Sequence, residues 1–310
     1  MHPPLDHAVR PTRTRPCTMA SPPRLLIVGC GDVGMRVLPL VRRGWRVFVL
    51  TSSPGRVAAL RAAGATPLVA NLDMPATLGR LAGLPDAVLH LAPPQAAGWQ
   101  DQRTRALVQA LARGGRVRRF VYVSTTGVYG DAGGARIDET HRLAPTTERA
   151  RRRVDAERVL RGWARAQGVV LSILRAPGIY ASDRAGGHPR ERLHRGTPVL
   201  ARADDVYSNH IHADDLARAC VAALARGRAL RAYNACDGSE MLVGDYYDLA
   251  ADLAGLPRPP RLARVEAEKV LSAQQMSFLG ESRRLDNRRL REELRLVLRY
   301  PSVVEGLRRG

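Results

Sequence analysis

A short apolar run that leads into three closely spaced glycines constrains the fold more than any other stretch of the sequence. Leu25 to Val28 predict a buried strand, and Met35 to Val41 predict a helix. Between them stand Gly29, Gly31 and Gly34, in the G-x-G-x-x-G spacing of a dinucleotide-binding turn. The first glycine permits the tight turn, the second lets the backbone approach a pyrophosphate, and the third lets the helix pack on the strand. The free N–H groups at the start of the helix favour the same anion.

The turn as a whole is therefore predicted to bind a dinucleotide. Its predicted contacts are Gly29, Cys30, Gly31, Asp32, Val33 and Gly34. Apolar strands and helical segments alternate after the turn, and no internal repeat is present. Further strands are expected at 46–50, 66–70, 87–91 and 120–124, with helices at 56–63 and 101–113. This order predicts an α/β fold with a doubly wound parallel sheet, a Rossmann fold.

The end of the second strand carries hydroxyl groups where an NAD-selective fold places an acidic residue. Thr51, Ser52 and Ser53 stand there, and Arg56 follows closely. A carboxylate would repel a 2′-phosphate, whereas hydroxyls accept it and a guanidinium attracts it. We therefore predict NADP as the cofactor, with contacts from Ser52, Ser53 and Arg56, and NAD as the alternative.

Two later strand ends complete the predicted dinucleotide site. Asn71 and Leu72 follow the third strand as a polar–apolar pair suited to the edge of an adenine. Ala92 and Pro93 follow the fourth strand, where small residues with few N–H groups let the cofactor approach closely. In a doubly wound sheet the ligand lies outside the carboxyl ends of the strands, so both pairs are expected beside the glycine turn.

The charge of the chain bears on what it binds. The formal net charge is +20, but the basic clusters are scattered along the chain. No helix-turn-helix, zinc finger or aromatic-studded basic strand accompanies them, so specific nucleic-acid binding is not predicted. Lys269 is the single lysine among 49 basic residues, which indicates a general bias toward arginine rather than a phosphate-binding track.

Other features bear on location. No apolar run approaches the roughly 20 residues that cross a bilayer, so no membrane association is expected. The four cysteines lack metal-type spacing, which predicts reduced thiols, no metal site and a cytoplasmic location. They are Cys17, Cys30, Cys220 and Cys236. Residues 1–22 are rich in proline and arginine without an apolar signal core, so we expect a disordered extension, with Met19 as the initiator.

Five further segments occur in the order of one family pattern. They are FVYVSTTGVYG at 120–130, LRAPGIY at 174–180, NHIHADDL at 209–216, YNACDG at 233–238 and the stretch 284–307. With the glycine turn they resemble the extended, epimerase-like branch of the short-chain dehydrogenase/reductases over roughly residues 24–308. Two residues within these segments also have a purely structural explanation: Pro177 is suited to shape a turn, and Asp215 is suited to cap a helix.

The resemblance implies a division of the chain and further cofactor contacts. The dinucleotide-binding core is expected at 23–180, completed by about 204–237, with a small, mixed substrate-binding part at 181–203 and 238–310. Ser124 ends the fifth strand, and Pro177 and Ile179 belong to the segment that closes over the nicotinamide half in the family. We expect all three to contact the cofactor.

The resemblance also implies catalytic candidates. Thr125 stands four residues before Tyr129, as the family's reactive Ser or Thr does before the V-Y-G tyrosine. Tyr129 and Tyr180 belong near the active site by motif position, so Thr125, Tyr129 and Tyr180 are the predicted catalytic residues. His194 and His212 are further proton donors, since histidine titrates in the right range. For Tyr129 the alternative is a packing aromatic whose hydroxyl finds a backbone partner.

One element of the family pattern is absent. In the family a Tyr-x-x-x-Lys pair follows about twenty residues after V-Y-G, and a glutamate commonly follows the lysine by four residues. Glu157 then places Arg153 at the lysine position and Arg149 at the tyrosine position. A guanidinium stays charged and cannot relay a proton, although Arg153 can bind ribose hydroxyls. The chain thus resembles an atypical family member, with G-x-G-x-x-G in place of the usual G-x-x-G-x-x-G.

Two functions follow from the sequence. The first is an NAD(P)-binding oxidoreductase or epimerase-like enzyme acting on a hydroxyl- or carbonyl-bearing small molecule, such as a sugar or nucleotide sugar. It would work by a route without the usual Tyr/Lys pair. The second is a non-catalytic NADP(H)-binding regulatory or redox-sensing module. The expected partners are a nicotinamide dinucleotide and an unidentified small molecule, and the resemblance implies a homodimer through the helices at 101–113 and 149–162.

Overall fold

The structure of the protein is a computed structural model that describes residues 21–308. The expected disordered extension, residues 1–22, therefore lies almost entirely outside the described residues. Of that extension only Ser21 and Pro22 are described, and both are exposed and lie outside helices and strands.

Strands and helices alternate through the first half of the chain, as the apolar pattern predicts. The strands are β1 Arg24–Val28, β2 Arg46–Thr51, β3 Thr66–Val69, β4 Ala87–His90, β5 Arg119–Thr125, β6 Arg136–Ile137, β7 Val170–Ala176, β8 Gly178–Tyr180, β9 Val199–Leu200, β10 Tyr207–Ser208, β11 His210–His212, β12 Arg231–Asn234, β13 Met241–Leu242, β14 Arg261–Leu262 and β15 Arg284–Leu285. The α-helices are α1 Asp32–Val41, α2 Val57–Ala62, α3 Gln102–Ala112, α4 Glu148–Gln167, α5 Arg190–His194, α6 Ala213–Arg226, α7 Val243–Ala254, α8 Arg264–Val270, α9 Ala273–Phe278, α10 Arg288–Glu292 and α11 Val303–Arg308. Short 3₁₀ turns span Pro54–Arg56, Pro75–Leu81 and Thr126–Tyr129.

Seven of these strands form one parallel sheet in the order β12-β7-β5-β4-β1-β2-β3. Strand β1 lies between β2 and β4, so Ile27 pairs with Val49 on one side and with Leu89 on the other. The predicted doubly wound parallel sheet is confirmed. The chain moves outward from β1 in both directions, and ligands bind at such a switch point, outside the carboxyl ends of the strands.

Both faces of the sheet are buried, because successive side chains of a strand point to opposite faces. Leu25 and Ile27 belong to a cluster that α1 and α6 cover. Leu26 and Val28 belong to a second cluster, on the side of α3 and α4. This explains why β1 is a continuous apolar run, and it fixes the glycine turn between two packed layers.

The remaining segments form smaller pieces with cores of their own. Strand β9 pairs in parallel with β14, and β10 pairs antiparallel with β13. Tyr246 on α7 packs with Leu193 on α5 and Leu307 on α11. A further cluster joins Leu200, Val206 and the residues of α8 and α9. The predicted domain boundaries remain a prediction.

Helix α6 shows that one sequence-based expectation is wrong. Its cap is His212, whose Nδ1 accepts a hydrogen bond from the backbone N–H of Asp214 at 3.2 Å. Asp215 is fully buried and accepts instead from the backbone N–H groups of Arg299 and Tyr300, at 2.9 and 2.8 Å. Asp215 therefore does not cap the helix; it ties the C-terminal segment to α6.

No helix within residues 21–308 has the length and apolar character needed to cross a membrane.

Candidate functional site

The glycine turn has the shape that a bound dinucleotide requires. Gly29 has a φ of +84°, and a Cβ there would stand 2.5 Å from the backbone nitrogen of Ala92. A Cβ at Gly34 would stand 3.0 Å from the Sγ of Cys30. At Gly31 a Cβ would meet nothing within 4 Å, so the turn leaves open space at this glycine. Helix α1 begins directly afterwards without a side-chain cap, and its first N–H groups are available to an anion.

Arg56 joins the end of β2 to the glycine turn. Its Nη1 donates a hydrogen bond to the carbonyl oxygen of Cys30 at 2.6 Å. Ser52 and Ser53 are exposed beside it, and the Oγ1 of Thr51 accepts from the backbone N–H of Ser53 at 3.2 Å. A guanidinium and two free hydroxyls thus stand next to the turn, where a 2′-phosphate would be accommodated.

The residues predicted to flank the adenine lie along the same sheet edge. Leu72 is buried and lines a small cavity of about 240 Å³. The side-chain oxygen of Asn71 accepts from the backbone N–H of Asp73, and the Asp73 carboxylate is held by Arg103 at 2.6 Å. Ala92 is buried under Gly29. These contacts hold the backbone of the segment that is predicted to flank the adenine.

A second, larger cavity of about 800 Å³ extends from the glycine turn toward the smaller part of the chain. Nine of the predicted cofactor residues line it, namely Gly29, Gly31, Asp32, Val33, Gly34, Ser124, Arg153, Pro177 and Ile179. The others do not, namely Cys30, Ser52, Ser53, Arg56, Asn71, Leu72, Ala92 and Pro93. The Sγ of Cys30 points toward α1, and burial raises the pKa of this thiol to about 11.

Hydroxyl groups line the large cavity at the end of β5. Thr125 lies on its wall, and the Oγ1 of Thr125 accepts from the backbone N–H of Gly127 at 3.3 Å. Ser124 is 3% exposed, and its Oγ has no hydrogen-bond partner among the described residues. A buried hydroxyl without a partner is costly, which indicates that a ligand completes its bonding. The open glycine turn and this hydroxyl both fit a nicotinamide dinucleotide.

Tyr129 does not line the cavity, so its placement does not support the predicted catalytic role, which stays a prediction. Its side chain is fully buried, its hydroxyl donates to Asn234 Oδ1 at 2.6 Å, and it accepts from Arg175 Nη1 at 2.9 Å. Burial raises its pKa to about 12 although Arg175 acts in the opposite direction. The packing interpretation holds, but the partners are side chains rather than backbone. Arg175 continues the network into a buried ion pair with Glu157 at 2.8 Å.

Tyr180 and the two predicted histidines also lie off the cavity wall. Tyr180 is 2% exposed, its hydroxyl donates to the carbonyl oxygen of Ser302, and its ring packs on His212. His212 caps α6 and stacks on Tyr300. His194 is exposed at the end of α5. None of the three lines the cavity, so the structure adds no support for Tyr180, His194 and His212 as proton donors, and these roles stay predictions.

The cavity contains residues that the sequence reasoning missed. They include Arg184, Arg192, Tyr207, Ser208, His210, Tyr246, Tyr247, Phe278 and Arg283. His210 stacks on Tyr246, and burial lowers its pKa to about 4, so its imidazole is neutral at neutral pH. Neither His210 Nδ1 nor Ser208 Oγ has a hydrogen-bond partner among the described residues. A signal was available for His210, which lies in the segment 209–216 already singled out as a motif, whereas Ser208 lies just before that segment.

An ion-pair junction lies between the glycine turn and the loop that follows β8. Arg36 on α1 contacts the carboxylates of Asp183 at 2.5 Å, Asp214 at 2.6 Å and Asp32 at 3.2 Å. Arg184 Nε lies 3.2 Å from Asp32 Oδ2. Asp32 would repel a pyrophosphate at the turn, and the two arginines offset that charge.

Arg149 and Arg153 both line the cavity from the first turns of α4. Arg153 Nη1 donates to the hydroxyl of Tyr122 at 2.9 Å and to the carbonyl oxygen of Val123 at 3.0 Å. The guanidinium of Arg149 stacks over the ring of Phe278 at 4.6 Å. Among the described residues, no group of three or more His, Cys, Asp or Glu side chains is arranged to hold a metal ion.

Comparisons with known proteins agree with this geometry. Residues 25–236 match the model of the NAD dependent epimerase/dehydratase family. A functionally unknown conserved protein from Silicibacter pomeroyi has a similar structure, with 32% identity, a TM-score of 0.77, and coverage of 92% of this chain and 96% of that one. Protein YeeZ of Escherichia coli K12 is 26% identical over 294 residues, which are 91% of this chain and 97% of YeeZ. A double mutant of the dTDP-glucose 4,6-dehydratase DesIV from Streptomyces venezuelae, solved with NAD bound, shares the fold, with 23% identity, a TM-score of 0.71, and coverage of 92% and 96%.

Proposed function

The chain belongs to the NAD-dependent epimerase/dehydratase family, and from this premise we propose that it is an NADP(H)-dependent oxidoreductase or epimerase. Its substrate is a hydroxyl- or carbonyl-bearing small molecule of the sugar or nucleotide-sugar class. The observation that carries the proposal is that the glycine turn and the hydroxyls of Ser124 and Thr125 open onto one cavity. A dinucleotide bound there would supply hydride transfer.

The chain's own residues divide the work of holding the cofactor. The backbone of the glycine turn takes the pyrophosphate, and Arg56 with Ser52 and Ser53 takes the 2′-phosphate. Ser124 offers its unpartnered hydroxyl to the cofactor at the end of β5. Pro177 and Ile179 line the same cavity and offer apolar contacts to the nicotinamide half of the cofactor.

Proton chemistry follows a route that does not use a Tyr/Lys pair. The hydroxyl of Thr125 donates a hydrogen bond to the reacting oxygen of the substrate and orients it, and the proton that accompanies hydride transfer comes from solvent water. His210 binds a second oxygen as a neutral group, because burial keeps its imidazole uncharged. Arg149 and Arg153 stay charged and hold groups in place without exchanging protons.

Turnover tests this proposal directly. We expect the purified protein to consume NADPH, followed by nicotinamide absorbance, with at least one compound of a panel of aldoses, ketoses and oxo acids. Thr125→Ala should lower kcat by roughly 100-fold, the scale of a lost acid–base contact, whereas Thr125→Ser should retain activity. An epimerase returns its nicotinamide to the starting state, so epimerised products are also measured; absence of both NADPH consumption and epimerised product across the panel would contradict the enzyme proposal.

Cofactor preference is tested at Arg56. A charge-assisted hydrogen bond to a phosphate contributes about 1.5–3 kcal/mol, so Arg56→Ala should weaken NADPH binding roughly tenfold or more. NADH affinity should change less than about twofold, since NADH lacks the phosphate. An equal loss for both nucleotides would favour NAD as the cofactor.

The alternative function is a non-catalytic NADP(H)-binding regulatory module. The observation that favours it is that Tyr129 and Tyr180 are both packed away from the cavity. Tight NADPH binding without any turnover, together with a change in affinity for a macromolecule, would support this module. The homodimer through α3 and α4 stays a prediction.

A further inference from the structure

Charge along the wall of the large cavity is unbalanced. Five arginines and two carboxylates line it, namely Arg149, Arg153, Arg184, Arg192, Arg283, Asp32 and Glu281. Both carboxylates already have guanidinium partners. Arg184 lies 3.2 Å from Asp32, and Arg283 lies 2.8 Å from Glu281. The positive charge of the other three arginines is therefore free to act on a ligand.

Two of these three arginines stand together. Arg149 and Arg153 are four residues apart on α4, so their side chains emerge on one face of the helix. Within residues 21–308, no carboxylate oxygen comes within 4.0 Å of either guanidinium. Arg153 bonds only to a phenol and a carbonyl oxygen, and Arg149 stacks on Phe278.

This arrangement is unfavourable without a ligand. Like charges at this helical spacing repel, and desolvation, followed by the neighbouring Arg153 and Arg152, lowers the pKa of Arg149. Glu281 acts in the opposite direction. Its carboxylate is nevertheless engaged by Thr146 at 2.7 Å and by Arg283 at 2.8 Å. An anionic ligand would relieve the repulsion and satisfy the donors.

The pair is also close to the reaction space. The first turn of α4 packs on the turn that follows Thr125, where a Cβ on Gly127 would lie 3.7 Å from the Cβ of Ala150. Ala150 stands directly after Arg149 in the helix. Thr125, Arg149 and Arg153 also line the same cavity, so a group held by the two guanidiniums lies in the space that Thr125 faces.

We propose that Arg149 and Arg153 form a binding site for an anionic oxygen group of the substrate, a carboxylate or a phosphate, close to its reacting carbon. The substrate is then a hydroxy or oxo acid, or a compound phosphorylated near that carbon, rather than a neutral carbonyl compound. This inference rests on the proposed function and narrows its substrate class.

Anion binding tests the inference without a known substrate. Oxalate, inorganic phosphate and neutral glycerol are titrated by calorimetry into protein saturated with NADPH. We expect oxalate or phosphate to bind and glycerol not to bind. Arg149→Met should weaken binding of the anion roughly tenfold or more, which is the effect expected from the loss of one charge-assisted hydrogen bond. Arg149→Lys should retain part of the affinity, because it keeps the charge and loses the planar fork.

A matched control lies on the same helix. Arg158 is exposed and does not line the cavity, so Arg158→Met should leave anion affinity unchanged. Preference for oxalate assigns a carboxylate, and preference for phosphate assigns a phosphorylated group. Equal anion affinity in wild type and Arg149→Met, or no anion binding at all, would overturn the inference. If NADPH itself fails to bind, the proposed function fails instead, so the two failures are distinguishable.

Turnover gives a second readout. Matched substrates that differ in charge, pyruvate and hydroxyacetone, are compared by kcat/KM with NADPH. We expect the acid to be preferred by wild type and the preference to collapse in Arg149→Met. If the ratio of kcat/KM for pyruvate to kcat/KM for hydroxyacetone is the same in Arg149→Met as in wild type, Arg149 does not bind the anionic group of the substrate.

Discussion

Gly29 and Gly31 stand two residues apart in the same turn, yet a methyl group has different consequences at the two positions. At Gly29 the backbone is left-handed and a Cβ would collide with Ala92. At Gly31 the backbone is extended and the space is open. The fold therefore requires the first glycine but not the second, which we expect to be needed for the ligand that the turn binds.

We expect Gly29→Ala to destabilise the protein by about 1–3 kcal/mol, the cost of a strained backbone or a steric clash. Gly31→Ala should unfold at the same urea concentration as wild type but bind NADPH roughly tenfold more weakly, because its methyl group occupies the pyrophosphate space. Urea unfolding and NADPH fluorescence titration measure the two effects. Wild-type NADPH affinity in Gly31→Ala would contradict the placement of the pyrophosphate.

Tyr129 tests the distinction between packing and catalysis. Tyr129→Phe should cost about 1–3 kcal/mol in urea unfolding, because Arg175 and Asn234 lose a buried partner. NADPH affinity and turnover should stay within about twofold, the ordinary scatter of independent sites. A large loss of turnover with wild-type stability would return this tyrosine to the active site.

Residue positions could be predicted from the sequence where the backbone of a turn defines them, and could not where the direction of a side chain depends on distant segments. Gly31 could be placed from sequence because a turn of this kind demands glycine at fixed spacing. Tyr129 could not, because its hydroxyl is positioned by Arg175 on β7 and Asn234 on β12, which are brought together only by the sheet. Phe278, on α9, was missed for the same reason, because only the tertiary fold brings it to the cavity.

Among the elements, the main sheet was predictable and the smaller part was not. Strands β1, β2 and β5 are continuous apolar runs, and a run buried on both faces carries its own signal. Strands β9 and β14 are each two residues long, and they pair with each other in parallel. Their sequences carry no local pattern, so only tertiary packing specifies them.

The contact between α6 and the C-terminal segment makes an element-level prediction. Asp215→Asn should destabilise the protein by about 1–3 kcal/mol, because an amide cannot accept from Arg299 and Tyr300 as the carboxylate does. Asp252→Asn is the control, since this carboxylate is exposed and pairs only with Arg258. Asp252→Asn should leave the urea midpoint unchanged. Equal effects of the two substitutions would show that the contact between Asp215 and the C-terminal segment does not stabilise the protein.

We expect the free energy of unfolding of the whole protein to depend on pH through the carboxyl group of Asp237. Burial, followed by the charge of Asp215, raises the pKa of this carboxyl from 3.8 to about 7, although hydrogen bonds from Ser239 lower it. The folded protein therefore keeps a proton that the unfolded chain releases above its lower pKa. The stability gained from this proton is complete below about pH 4 and is lost as the pH rises to about 7.

Asp237→Asn removes this dependence. The urea midpoint of the variant, relative to that of wild type, should rise between about pH 5 and about pH 8. The depressed pKa values of His90 and His210 act in the opposite direction but are common to both proteins, so they cancel in the difference. A difference that is constant with pH would show that Asp237 is already ionised in the folded state.

We expect the junction at Arg36 to affect the rate at which a bound nucleotide leaves, because it joins the glycine turn to the loop after β8. Arg36 joins the glycine turn, the start of α6 and the loop after β8 through partly exposed charges, so ions in solution screen it. Nucleotide release should accelerate as salt is added, and Asp183→Asn should make release fast even at low ionic strength. Stopped-flow displacement of NADPH measures this rate. Ion pairs on the surface of the site would then control how long a cofactor stays bound, and a release rate that does not change with salt or in Asp183→Asn would contradict this.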